Sequence, residues 1–315
     1  MNRSRGFTIA ELAVAAAILA LLLFGAMIPF STQVEIRNVN ETRRTMDSIR
    51  DALLGFTQVN GRLPCPANGA TPAGTIDTTT WATAVAAGAE QWDPANNRCY
   101  NALSGVVPWA TLGTSETDAW GRRFSYRVSA AFADAPSKNT WQSRQSGVGG
   151  SFPGQSTPFP TSPGNQNPTC PTPAGALTPA PTLSSFALCS LGDIAVYTRT
   201  TSAATPLVTA VPVIFISHGK NGYGAWQPSG LRVQAAGAGT DEAANANGGS
   251  PTQSSLLPYT SYAYYSRNPA AASSGCADPA PPGASGSPPC EFDDTVVTIT
   301  SSTLIARMVA AGKLP

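Results

Sequence analysis

Histidine is nearly absent: the 315-residue chain contains only His218, and none of its six cysteines forms a Cys-x-x-Cys pair. The usual donor sets of a zinc site are therefore missing. Charge is also scarce. Charged residues make up 12% of the chain and the net charge is +1, so there is no basic field with which to hold nucleic acid or an anionic membrane surface. Ser217 and His218 are adjacent, and neighbouring strand side chains point to opposite faces, so the two do not make a nucleophile and base. The segment HGKNGYG, His218 to Gly224, lacks the spacing of a phosphate loop. It looks like a hairpin turn between strands, with His218 as a turn residue. These absences exclude nucleic-acid binding and argue against an enzyme.

What the chain does have is concentrated in its first residues. Arg3 and Arg5 precede Gly6, Phe7 follows, and Ile9 to Phe30 is apolar except for Glu11. At 1.5 Å per residue that run spans about 33 Å, the thickness of a hydrocarbon core. Arg5 is followed by no Lys or Arg until Arg37, which puts the leader in the cytoplasm and the rest outside. A secretory signal peptide has an apolar core of only about 7 to 15 residues. A plain anchor has no use for a carboxylate in lipid, where it costs several kcal/mol unless it is paired or leaves the bilayer. Cutting after Gly6 would give Glu11 a purpose, because it frees an amine on Phe7.

GFTIAEL followed by an unbroken apolar helix resembles the class III signal of type IV prepilins and type II secretion pseudopilins. The resemblance implies cleavage between Gly6 and Phe7 by a prepilin peptidase, N-methylation of Phe7, and use of Glu11 in filament assembly. It also implies as partners other pilins or pseudopilins, the peptidase/methyltransferase and an inner-membrane assembly platform. The implied location is the bacterial inner membrane, single pass, with a periplasmic head, and a filament or the cell surface after assembly. Independently of the resemblance, Glu11 can accept a charge-assisted bond from a neighbour's Phe7 ammonium. Spacing of four residues also lets it reach its own. Ala13, Ala15, Ala16, Ala17 and Ala20 allow close helix approach, although Ala is also simply a good helix former.

Past the span, Val34, Ile36, Val39, Met46, Ile49, Leu53 and Leu54 recur at helical spacing, and Asn60-Gly61 with Pro64 ends the pattern. Pro29 kinks this helix rather than ending it. The expected organisation is a leader (1–6), a transmembrane or filament-core helix (7–30), its amphipathic continuation (31–60) and a disulfide-stapled head (61–315). GFTQVNGRLPCPA, Gly55 to Ala67, resembles large minor-pilin-like members; Gly61 turns the chain, Pro64 and Pro66 extend it, and Cys65 ties it down.

Strand composition marks Arg122 to Val128, Asp193 to Thr198, Val211 to Ser217 and Thr295 to Thr300. The fold class read from this is α+β, pilin-like, a long helix under an antiparallel sheet. The Pro-, Gly-, Ser- and Asn-rich stretches Gly147 to Pro181, Ala235 to Thr252 and Asn268 to Pro289 read as loop insertions. In a chain that leaves the cytoplasm, six cysteines suggest disulfides. Sequence alone allows about fifteen connectivities; their order as couples favours Cys65 with Cys99, Cys170 with Cys189, and Cys276 with Cys290.

DAWGRRFSY, Asp118 to Tyr126, resembles the signature of the major type II pseudopilin, with Ala119 where that family has proline. It reads as an Asp118-led turn entering a strand, with Trp120 and Tyr126 free to pack on the helix. That family binds calcium through an acidic loop. Here the dense acidic run is missing, and Asp293 and Asp294 are the available oxygen ligands, although paired Asp at a strand start also serves as a solvated cap. Tyr259, Tyr262, Tyr264 and Tyr265 either cover a sheet or form a binding patch. Leu304, Ile305, Met308 and Val309 mark a docked terminal helix. Two functions follow: a structural, minor subunit of a pseudopilus or pilus, or a pilin-delivered adhesin using the loops and tyrosines.

Overall fold

The computed structural model describes residues 8–78, 84–93, 98–99, 104–133, 192–198, 206–234, 239–253, 260–271, 275–276, 278 and 290–313, with the side chains of 21–32, 98, 130–131, 250–253 and 260 excepted. Gly6, Phe7, Tyr259, Cys170, Cys189 and the stretch Gly147 to Pro181 lie outside them.

Helix α1 runs unbroken from Ile9 to Asn60, through Pro29. It stops at Gly61, whose φ of 70° suits a residue without Cβ and whose N–H donates to the Thr57 carbonyl at 2.8 Å. The head begins to cover it at Thr42, and Thr42, Met46, Ile49, Leu53 and Thr57 are all buried. The expected apolar face thus starts later than its sequence pattern. Val34 and Ile36 are each 57% exposed, and among the described residues the head meets this stretch only through an exposed ion pair of Lys220 with Glu35 at 3.3 Å.

The head then adds β1 (Ile76–Asp77), β2 (Val85–Ala86), β3 (Trp92–Asp93), β4 (Arg98–Cys99), β5 (Ser104–Val106), α2 (Trp109–Leu112), β6 (Ser125–Val128) and α3 (Ala130–Ala133). There follow β7 (Ile194–Tyr197), β8 (Val208–Val211), β9 (Val213–Ser217), α4 (Thr240–Ala246), β10 (Ser250–Gln253), β11 (Thr260–Tyr265), β12 (Thr295–Ile299) and α5 (Ser301–Ala310). All the expected strands are present, but not in one antiparallel sheet. The first sheet has the order β12-β9-β6-β5 and is antiparallel throughout. The second has the order β10-β11-β7-β8, and its β11-β7 pair is parallel.

The reason for two sheets lies in β9, which is buried at every position. A strand buried on both faces needs a layer on each side. On one face Val213 and Phe215 join Phe124, Tyr126, Val128 and the α1 residues. On the other, Ile214 and Ile216 meet Ile194, Val196 and Tyr264 of the second sheet. Helix α5 closes the first layer with Leu304 and Met308 buried, while Val309 is 46% exposed.

Part of the stretch Ala235 to Thr252, read as a loop from its composition, is regular structure: it contains α4 and the start of β10. Its helix is held by polar contacts that composition does not reveal. Asn245 accepts from the Tyr265 N–H and donates to the Tyr265 carbonyl, at 2.8 and 2.9 Å. Arg267 bridges buried Asp241 and Asp278, each at 3.0 Å. Tyr264 and Tyr265 are buried and Tyr262 half-buried on β11, which is the sheet-covering role and not a free patch.

Disulfides join Cys65 to Cys99 and Cys276 to Cys290. Beside the first, Arg62 makes a two-pronged ion pair with Glu90 at 2.7 and 2.8 Å and lies 3.8 Å over the Trp92 ring. Glu90 also accepts from the Cys65 N–H at 3.0 Å. In NGRLPCP the arginine therefore helps to fasten the turn alongside the cysteine.

Candidate functional site

The free end of α1 opens on a capping box. The Thr8 hydroxyl accepts from the Glu11 N–H at 3.3 Å, and Glu11 Oε2 accepts from both the Thr8 N–H and the Thr8 hydroxyl at 2.9 Å. The glutamate is thereby held over the first turn, next in sequence to Phe7. Around it the helix has no packing partner among the described residues: Ile9, Leu12, Val14, Ile18 and Leu19 are 56–90% exposed. Exposed apolar surface of this extent marks a face meant for lipid or other chains. Among the described residues no helix is long and apolar enough to cross a membrane; the side chains of 21–32, the second half of the expected span, are not among them.

A second site lies in the head, where Asp293 and Asp294 are joined by Glu242 from the first turn of α4. One carboxylate oxygen from each falls within 4.8 Å of the others. Glu242 Oε1 accepts from Asn221 Nδ2 and from the Asp293 N–H, both at 3.0 Å. Asp293 Oδ2 accepts from the Asn221 N–H at 2.8 Å. Glu242 Oε2 and Asp293 Oδ1 are buried without a hydrogen-bond partner among the described residues. Burial, reinforced by the neighbouring acids, pushes Glu242 up to about 8 and Asp293 up to about 6. Gly219 lets the turn after β9 close on this group, since a Cβ there would meet Asp293 Cγ at 2.5 Å.

His218 begins that turn, as its carbonyl accepts from the Gly222 N–H at 2.9 Å. One correction applies to the reading of this segment: the turn does not connect paired strands, because β9 pairs with β12 and β6. His218 is a turn residue as expected, and it is fully buried, with Nε2 2.7 Å from Ser125 Oγ and Nδ1 3.2 Å from Asp294 Oδ1. Asp294 Oδ2 accepts from Asn245 Nδ2 at 2.8 Å. The nearby side-chain amide is thus committed, its two donor bonds going to Asp294 and the Tyr265 carbonyl. Ser125 and His218 serve as a polar joint tying β6 to β12. Neither partner of His218 is near it in sequence, so no local pattern signals the contact.

The Asp118 turn is built as expected and docked in an unexpected way. Asp118 Oδ1 accepts from the N–H groups of Trp120 and Arg122 at 3.0 Å, and Oδ2 from the Ser217 hydroxyl at 2.7 Å. Burial raises its pKa against those bonds. Ala119 donates its N–H to Thr42 Oγ1 on α1 at 3.2 Å, a bond that proline in its place could not make. Tyr126 enters the helix-facing core and bonds the Pro64 carbonyl at 2.9 Å, whereas Trp120 stays half-buried.

A long N-terminal helix followed by a β-sheet head is the arrangement of a pilin-like α+β protein. Residues 1–27 match the family model of the prokaryotic N-terminal methylation motif, and the chain therefore carries a class III prepilin-like signal. No curated protein and no solved structure matches the chain.

Proposed function

We propose that the chain is a structural subunit of a type IV pilus or type II secretion pseudopilus, of the minor, large-headed kind. In this reading the leader is cut between Gly6 and Phe7 on the cytoplasmic side of the inner membrane and Phe7 is N-methylated. The helix is held in the bilayer with the head in the periplasm, then drawn into a filament. The partners are other pilins, the prepilin peptidase and the assembly platform. The observation that carries the reading is the union of the methylation motif at residues 1–27 with an apolar helix end left uncovered. Such a surface requires lipid before assembly and neighbouring helices after it.

Glu11 is the residue that connects the two states. Its carboxylate caps its own helix, and the same carboxylate can take the ammonium of a neighbour's Phe7, neutralising two charges that an apolar filament core disfavours. Glu11→Gln separates the two roles, because glutamine still serves a capping box but carries no charge. The expected outcome is normal membrane insertion with loss of at least tenfold in filament incorporation, read by shearing and quantifying filaments. Normal incorporation of Glu11→Gln would reduce the residue to a helix cap.

The three-carboxylate group favours a second element of function, a divalent cation bound in the head. Hard oxygen donors of this kind suit calcium. Glu242, Asp293 and Asp294 would hold it, and the ion would supply the positive charge that their buried oxygens lack. Glu242 comes from α4, and Asp293 and Asp294 come from just before β12, so the ion would lock α4 to the sheet. Of the tyrosines that an adhesin reading would use, Tyr264 and Tyr265 are buried.

A further inference from the structure

A cavity of about 180 Å³ opens between β5, β6 and β9 of the first sheet, Tyr264 of the second, and the end of α4. Its walls are polar but contain no carboxylate. Two guanidinium groups line it. Arg127 is 5% exposed; it reaches the Gly248 carbonyl at 3.5 Å and Asp193 Oδ2 at 3.3 Å, and its Nε has no hydrogen-bond partner among the described residues. Arg232 donates Nε to the Gly224 carbonyl at 2.7 Å and Nη2 to Ala246 and Asn247. Among the described residues its hydrogen bonds go to neutral oxygens, its guanidinium lies 5.7 Å over the Trp226 ring, and desolvation holds its pKa below the usual guanidinium value.

A buried N–H without an acceptor, as at Arg127 Nε, is costly, and Arg232, exposed at the same cavity, carries a charge that no acidic side chain among the described residues meets. One ligand group answers both: a carboxylate, whose planar pair of oxygens matches the guanidinium fork. Ser125 and Asn247 also line the cavity and can hydrogen-bond a second polar end. At about 30 Å³ per water molecule the space holds roughly six waters, or one small acid of four or five carbons.

We infer that this cavity is a carboxylate-binding site, taking either a free small dicarboxylic acid or the acidic side chain of another protein. The two sources share one chemistry and differ in what is attached to it. The test is isothermal titration of the full chain in mild detergent with succinate, with its neutral analogue succinamide, with N-acetylglutamate N-methylamide and with inorganic phosphate.

The expected result is binding of a carboxylate and none of succinamide. Arg232→Gln should weaken that binding at least tenfold, and Arg232→Lys, which keeps the charge but loses the fork, should weaken it less. Tighter binding of the glutamate derivative would assign the site to a partner's side chain; tighter binding of succinate would assign it to a free acid. Failure of both carboxylates to bind, equal binding of succinamide, a preference for phosphate, or undiminished binding by folded Arg232→Gln would each overturn the inference. The comparison of succinate with succinamide decides the matter even if the glutamine variant does not fold.

Discussion

Glu242 illustrates how a residue acquires a role that its neighbours in sequence do not announce. It sits in TDEAANA, a stretch whose composition reads as a loop, yet it is fully buried against Asp293 and Asp294. Its pKa rises from 4.5 to about 8, and that of Asp293 from 3.8 to about 6. The folded head therefore holds more protons than the unfolded chain across these ranges. Stability must fall as pH rises, from about 4 to 6 through Asp293 and from about 4.5 to 8 through Glu242. A bound cation should reverse this loss, and at a hundredfold excess over Kd it adds about 2.7 kcal/mol, several degrees in Tm for a small domain. Thermal melts at pH 5 and pH 8, with and without calcium, are expected to show a calcium shift that is larger at pH 8. Glu242→Gln should flatten the pH dependence and shrink that shift; an undiminished calcium response in this variant would remove Glu242 from the site. Asp293 and Asp294 were legible as adjacent acids at a strand start. Glu242 was not, because only the folding of α4 brings it to them.

At the scale of elements, the parts governed by local rules were readable and the parts governed by layering were not. The cap at Gly61, the Asp118 turn and the strand segments around Tyr126, Val196, Phe215 and Val297 follow from local composition. The split into two four-stranded sheets does not, since β11 and β7 pair in parallel with partners such as Tyr265 and Tyr197 lying far apart in the chain, which requires a non-local connection. Likewise the apolar pattern of α1 continues through Val34 and Ile36, but nothing local says where the head stops covering it. The junction of head and helix offers a direct test. Ala119→Pro removes the N–H that bonds Thr42 Oγ1, leaving a buried hydroxyl short of a partner. The expected cost is about 1 kcal/mol in chemical denaturation of the full chain; an unchanged midpoint would mean that the turn docks through apolar contact alone.

The molecule as a whole pairs a stapled, two-sheet head with a helix end that is apolar and uncovered. A chain built to remain a monomer in water would bury that end. Here the first helical turn is capped by Glu11, the residues beyond it face outward, and the methylation motif covers the same segment. These features were the most legible part of the chain because each is local: a glycine, a large apolar residue, a carboxylate and a clean apolar run in fixed order. Processing at Gly6 is the claim on which filament assembly, the pairing of Glu11 and the release of the helix from the bilayer all rest. The decisive measurement is intact mass and N-terminal sequencing of the protein recovered from its native membrane. The account predicts a chain beginning at N-methylated Phe7; a chain that retains Met1 through Gly6 would contradict it.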